Sequence, residues 1–296
     1  MLNLPINTNQ FIHMGMTLAL GATLFLSGPA GAADSTEPKP PGYGKDLVAP
    51  IVFQAAGPTA DSIQSSVDAF RAALGEPDNG NDPGPLYDGR REINWDGGGG
   101  VDVTTDPVTP FDVFLNTRGG QFTTPGTGLS QAPPAGGPQD GLAGLFNNPT
   151  YGAIFSTFSP LRLFTPVDSN ITEALFFVPG TEGKDAATVR GFGAVFTDVD
   201  QPDGSVYDQN YEDREASTLI EYFGADDKLL FRSFVPASPG DGSLSFFGIV
   251  FKEARIAQVK ITSGSVAPGP DDDEKNDIVV MDDFIYGEPQ PLVYGD

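Results

Sequence analysis

The chain has 296 residues, with 16 Lys and Arg against 40 Asp and Glu, so it carries a formal net charge of −24. Backbone binding to nucleic acid needs a basic footprint, and that balance excludes such a partner. There is no Cys and the single His is His13 in the leader described next, so the mature chain has no route to Ser-His-Asp or Cys-His catalysis or to a zinc site of imidazole and thiolate.

From Met14 to Leu26 the run MGMTLALGATLFL holds no charge, and the small-residue stretch SGPAGAA follows it. This is the plan of a secretory signal peptide over residues 1–33, cleaved after Ala32 or Ala33, and it predicts a secreted or periplasmic protein. The apolar run is too short to span a bilayer, and nothing beyond residue 34 reads as a membrane span. Residues 1–13 depart from the plan in lacking Lys and Arg. The leader has no charged side chain, so the mature chain keeps the whole −24. Such a charge suits solubility and cation binding, opposes adhesion to anionic membranes, and a monomer is expected.

Residues 34–50 are rich in Pro and Gly and read as a disordered lead-in. Between Pro58 and Gly75, Ile63, Val67, Phe70 and Leu74 recur at helical spacing. Thr59 or Asp61 can cap the start and Gly75 with Pro77 the end, which predicts one helix at about 60–74. Residues 76–110 are dense in Gly, Pro, Asp and Asn, and residues 124–150, with TPGTG and APPAGGP, read as a long surface loop. From Leu161 onward the period is two. Strands are expected at about 161–165, 173–178, 188–198, 217–223, 228–235, 244–251, 255–262 and 277–286. Short strands with frequent turn signals predict a mainly β chain, an antiparallel β-sandwich of jelly-roll type, as one domain over residues 51–296.

Several acidic residues are candidates for a site. Adjacent strand residues face opposite ways, so one of Asp282 and Asp283 is expected to point inward, and a buried anion needs a cation or strong hydrogen bonds. Arg, Lys or Ca²⁺ would serve; the other reading is a strand end where both reach water or an Arg. Asp198 and Asp200, at the end of the long strand RGFGAVFTDVD, are expected to project from one strand face, close enough to share a hard cation. The stretch Asp198 to Gly204 has the acidic spacing of an EF-hand loop but is not one, because Pro202 and Gln209 stand where ligands are required. Asp198, Asp200, Asp282 and Asp283 are therefore the candidate calcium ligands. The acidic run 271–277 reads as a solvated loop. Glycines 97–100 lack the Lys-Ser/Thr of a phosphate loop. Trp95, with Asp96 beside it, is the candidate ligand platform, a surface on which sugar rings stack; the alternative for Trp95 is core packing beside Ile93.

The blocks GRREINWDG, TPGTG, FSPLRLF, FFVPG, GFGAVFTDVD, LSFFGIVF and VVMDDFIYGEP resemble, in this order, a family of uncharacterised secreted bacterial proteins. The likeness covers most of residues 60–289 and carries no activity with it. The strand ending in Asp-Asp-Phe also resembles the last strand of jelly-roll modules such as carbohydrate-binding and MAM-like domains. That likeness implies a structural Ca²⁺ near Asp282 or Asp283.

The function these features predict is a secreted, calcium-stabilised, non-catalytic jelly-roll protein that binds a glycan or another cell-surface component. A carbohydrate-active enzyme is the alternative: a glycosidase with paired carboxylates, or a polysaccharide lyase using Tyr or Lys, with Asp200 and Glu221 as first substitutions. A structural envelope component with no small ligand is a third possibility. No catalytic residue is assigned.

Overall fold

The computed structural model describes residues 49–97, 106–200, 218–270 and 276–292. The leader, residues 34–48 of the lead-in, glycines 98–100 and acidic residues 271–275 lie outside the described residues.

Among the described residues fourteen strands follow in chain order: β1 Ile51–Gly57, β2 Arg90–Ile93, β3 Gly120–Thr123, β4 Gly128–Ala132, β5 Leu163–Val167, β6 Ile171–Phe176, β7 Ala187–Thr188, β8 Gly191–Thr197, β9 Leu219–Phe223, β10 Leu229–Phe234, β11 Leu244–Val250, β12 Gln258–Thr262, β13 Val280–Gly287 and β14 Gln290–Pro291. One sheet runs β1-β11-β8-β13-β5-β4, with β2 also paired to β13; the second runs β10-β9-β12-β6-β3, and β14 pairs β7. These strand pairs are antiparallel. From β5 to β9 the long strands alternate between the two sheets; β10 stays beside β9, and β11, β12 and β13 alternate again.

Helix α1, Ala60–Leu74, buries Ile63, Val67, Phe70 and Leu74. Thr59 has the extended backbone of an N-cap, but its hydroxyl lies 3.0 Å from the Ser62 hydroxyl and caps no backbone N–H. Gly75, at φ 113°, closes the helix by donating its N–H to the Arg71 carbonyl.

Burial separates the two sheets. The alternating exposure of β6, β9 and β12 marks a sheet with one wet face. By contrast β8, β11 and β13 are buried at every residue. The first sheet is a middle layer, because its second face is covered by α1 over Val195, Phe246 and Ile285, and by Leu142, Phe146, Tyr151 and Phe155 over Leu163 and Val280. This corrects the surface-loop reading of 124–150. Its Pro and Gly mask a fully buried strand, β4, and a short helix over Gly141–Leu145. The layer contact is close where Phe70 lies on the cross-strand pair Gly193 and Gly248, since a Cβ built on either would come within 2.9 Å of the ring.

Beyond β13 a buried ion pair anchors the loop after α1. Arg91 Nε donates to Glu288 Oε2 at 2.6 Å, and its Nη1 donates to the carbonyls of Gly80 and Asp82. Asn79 donates to the same carboxylate at 2.8 Å. All the described residues belong to a compact unit spanning Lys45–Asp296. Among them no helix is long and apolar enough to cross a membrane.

Candidate functional site: a groove wall hung from carboxylates

Strand β13 is interrupted at its acidic pair. Met281 faces Phe196 and Phe284 faces Ala194, so Asp282 and Asp283 together oppose the single residue Val195, as in a β-bulge. The neighbour on the other edge also changes here, from β5 at Met281 to β2 at Phe284. A bulge frees backbone groups from the ladder, and buried groups must find other partners. Trp95 Nε1 donates to the Asp282 carbonyl at 3.1 Å, and the Asp283 N–H donates to Asp282 Oδ1 at 2.8 Å.

The alternation expected of this strand therefore fails at Asp282 and Asp283, and both carboxylates turn to the same side. Asp282 Oδ2 accepts the Phe158 N–H at 2.6 Å. The Ser159 hydroxyl donates to Asp283 Oδ1 at 2.5 Å and lies 3.4 Å from Asp282 Oδ1. Arg71 of α1 stands 3.6 Å from Asp283 Oδ2 while its Nη2 meets Glu92 at 2.7 Å and its Nη1 meets Asp68 at 3.4 Å. Arg90 binds the other side of Glu92 at 2.5 Å and Glu76 at 2.7 Å.

The positive counterpart of the pair is thus a guanidinium. All four carboxylate oxygens of Asp282 and Asp283 face N–H or O–H donors of the protein. Burial pushes the Asp282 carboxyl well above the usual carboxylate range, the Asp283 charge adds to the rise, and the Phe158 N–H opposes it. Asp283 is raised as well, by burial against the opposing Ser159, Asp282 and Arg71. Burial lowers Arg71, but Glu92, Asp283 and Asp68 outweigh it and keep the guanidinium above its ordinary value.

A third carboxylate holds the same segment. Asp96 Oδ1 accepts the N–H groups of Leu161 and Arg162, the latter at 2.9 Å. Residues 158–162 hang in this way from Asp282, Asp283 and Asp96. They form one wall of a groove of about 700 Å³. Phe155, Ser156, Thr157, Pro160, Leu161 and Arg162 line that wall, and Pro133, Pro134, Ala135 and Gly137 line the other. Leu161 stands 70 % exposed on the rim. The lining contains no carboxylate, and Arg162 is its one charged side chain among the described residues.

Trp95 is placed elsewhere. Its ring is fully buried, stacked on Phe164 at 3.7 Å and meeting Phe111, Phe114, Phe122 and Phe284 edge-on. No face is left for a sugar, so the platform reading of Trp95 gives way to core packing. Asp96, its neighbour, reaches the groove only by holding the wall.

Asp198 and Asp200 lie beyond the end of β8. Asp198 has φ 69°, so the strand does not run on through Asp200 and the shared-face argument does not apply. Asp200 donates its N–H to Asp277 Oδ1 at 3.2 Å and accepts the Gly240 N–H at 2.9 Å, which brings Asp277 into the corner. Among the described residues no group of three or more His, Cys, Asp or Glu is arranged to hold a metal ion.

Ser159 and Arg162 carry no signal in the sequence. FSPLRLF holds no pair of titratable groups, and its partner Asp282 lies 124 residues from Phe158 along the chain. No family model, curated protein or solved structure matches the chain.

Proposed function

We propose that this protein is a secreted, non-catalytic jelly-roll module that binds a glycan through the groove between residues 133–137 and 155–162. The observation that carries the reading is the lining itself, which among the described residues offers proline, alanine and phenylalanine surfaces, two hydroxyls, one guanidinium and no carboxylate. Its volume falls in the usual range for ligand sites of roughly 300–1,000 Å³. Apolar walls suit the C–H faces of sugar rings, and Ser156 and Thr157 suit their hydroxyls. A glycosidase places two carboxylates across the scissile bond, and the lining offers none. The alternation of strands between two antiparallel sheets supports the jelly-roll reading.

Calcium enters this reading at the pair Asp198 and Asp200. Carboxylate oxygens are the ligands a hard cation takes. An ion there would sit beyond the end of β8 and add to stability; it has no part in the groove.

A glycan array probed with the wild-type protein and with Ala135→Trp tests the binding reading. Ala135 is exposed on the groove wall, so the indole is expected to fill the groove, abolish array binding and leave the melting temperature unchanged. Binding that survives Ala135→Trp would move the site to another surface.

A further inference from the structure

Two grooves among the described residues differ in charge. The second, about 520 Å³, holds both Asp226 and Arg255. Arg255 has Glu253 at 3.7 Å, and Asp226 is paired with Lys228. Cation and anion are both present there and each already has an opposite charge. In the first groove Arg162 is half-buried, its backbone N–H is held by Asp96, and its guanidinium has neither hydrogen bond nor ion pair among the described residues. This occurs in a chain of 40 acidic residues, none of which is among the described residues of this lining.

We infer that the groove selects an anionic glycan, a chain of uronate residues whose carboxylate is bound by the Arg162 guanidinium. The inference rests on the glycan-binding reading of the same groove. Guanidinium and carboxylate match as planar groups joined by two parallel hydrogen bonds. Asp96 and the buried acid pair fix the backbone from Phe158 to Arg162, so the base of the Arg162 side chain is fixed in advance and less ordering is lost on binding. Ser156 and Thr157, six and five positions before Arg162 along the same wall, face the ring hydroxyls. The proline faces of the opposite wall take the C–H surface of the neighbouring sugar. The net charge of −24 opposes an anion at long range, but charges more than about 8 Å apart are largely screened at physiological salt. A contact pair inside a partly enclosed groove is screened far less.

The test compares two ligands of the same length by titration calorimetry: an oligomer of six galacturonate residues and its fully methyl-esterified form, with a neutral gluco-oligomer and a sulfated oligomer alongside. Wild-type protein is expected to bind the free acid at least about tenfold tighter than the ester, a difference of roughly 1.4 kcal/mol. Arg162→Gln should remove that preference and leave the melting temperature unchanged, while Arg162→Lys should keep part of it. Equal binding of acid and ester, a preference retained in Arg162→Gln, or binding of only the neutral or only the sulfated oligomer would overturn the inference and leave the groove reading standing. If none of the oligomers binds and the array is also silent, the groove reading itself fails, and this inference with it.

Discussion

Arg71 serves three carboxylates from one position on α1: Asp68 on its own helix, Glu92 on β2 and Asp283 in the bulge of β13. With Arg90 it faces Glu92, Asp283 and the outlying Glu76 and Asp68, so cations are fewer than acids; burial remains the main cause that raises the carboxyls of Asp282 and Asp283, and the charge of Asp283 adds to the rise at Asp282. A carboxyl raised on folding makes the folded state hold more protons than the unfolded one, and stability then falls as pH climbs from the unfolded value of about 4 toward the folded value. Asp283→Asn removes one of the two acids while Arg71 keeps Glu92 and Asp68. Its stability is expected to decline less than that of the wild type between about pH 4 and pH 7, as read from urea midpoints across that range. Parallel curves would show that folding does not raise the carboxyl of Asp283. The need for a positive partner beside Asp282 and Asp283 was legible in the sequence. The partner's identity was not, because Arg71 reaches Asp283 from a helix more than 200 positions earlier, and the bulge that turns both acids to one side breaks the alternation on which strand reading rests.

At the level of elements, α1 and strands β6, β9 and β12 could be read because each buries a stripe with a fixed period: Ile63, Val67, Phe70 and Leu74 on the helix, and single-faced alternation in the strands. Strands β2, β3 and β4 could not, since four or five residues set among Gly and Pro show no period. The contact between α1 and its sheet is a matter of shape. Gly193→Ala would drive a methyl into the Phe70 ring, and overpacking of this kind costs about 1–3 kcal/mol. Phe70→Leu is expected to relieve most of that cost, so the double variant should be more stable than the sum of the two single changes implies. Strict additivity would deny the contact. On the wet face of the second sheet, Glu173, Lys260, Glu221 and Arg232 stand opposite one another across β6, β12, β9 and β10. Glu221 thus lies in a ladder of alternating charge, which stabilises a sheet modestly, and it is not among the residues that line the groove.

Across the whole molecule the acidic surface and the lining of the larger groove stand apart. Forty acids against sixteen bases leave an exterior suited to solubility and to cations. If Ca²⁺ binds Asp198 and Asp200, thermal melts with saturating calcium should exceed those of chelator-treated, metal-free protein, by about 2.7 kcal/mol of added stability at a hundredfold excess over the dissociation constant. Identical curves would remove calcium from the account without touching the groove. The groove itself depends on the three carboxylates that suspend residues 158–162, and the most direct measurement is backbone amide hydrogen exchange with and without a bound oligosaccharide. The amides of Phe158, Leu161 and Arg162 are predicted to be protected already in the free protein, with further protection across 133–137 and 155–162 on binding. Rapid exchange of those three amides in the free protein, or ligand protection confined to another surface, would contradict it.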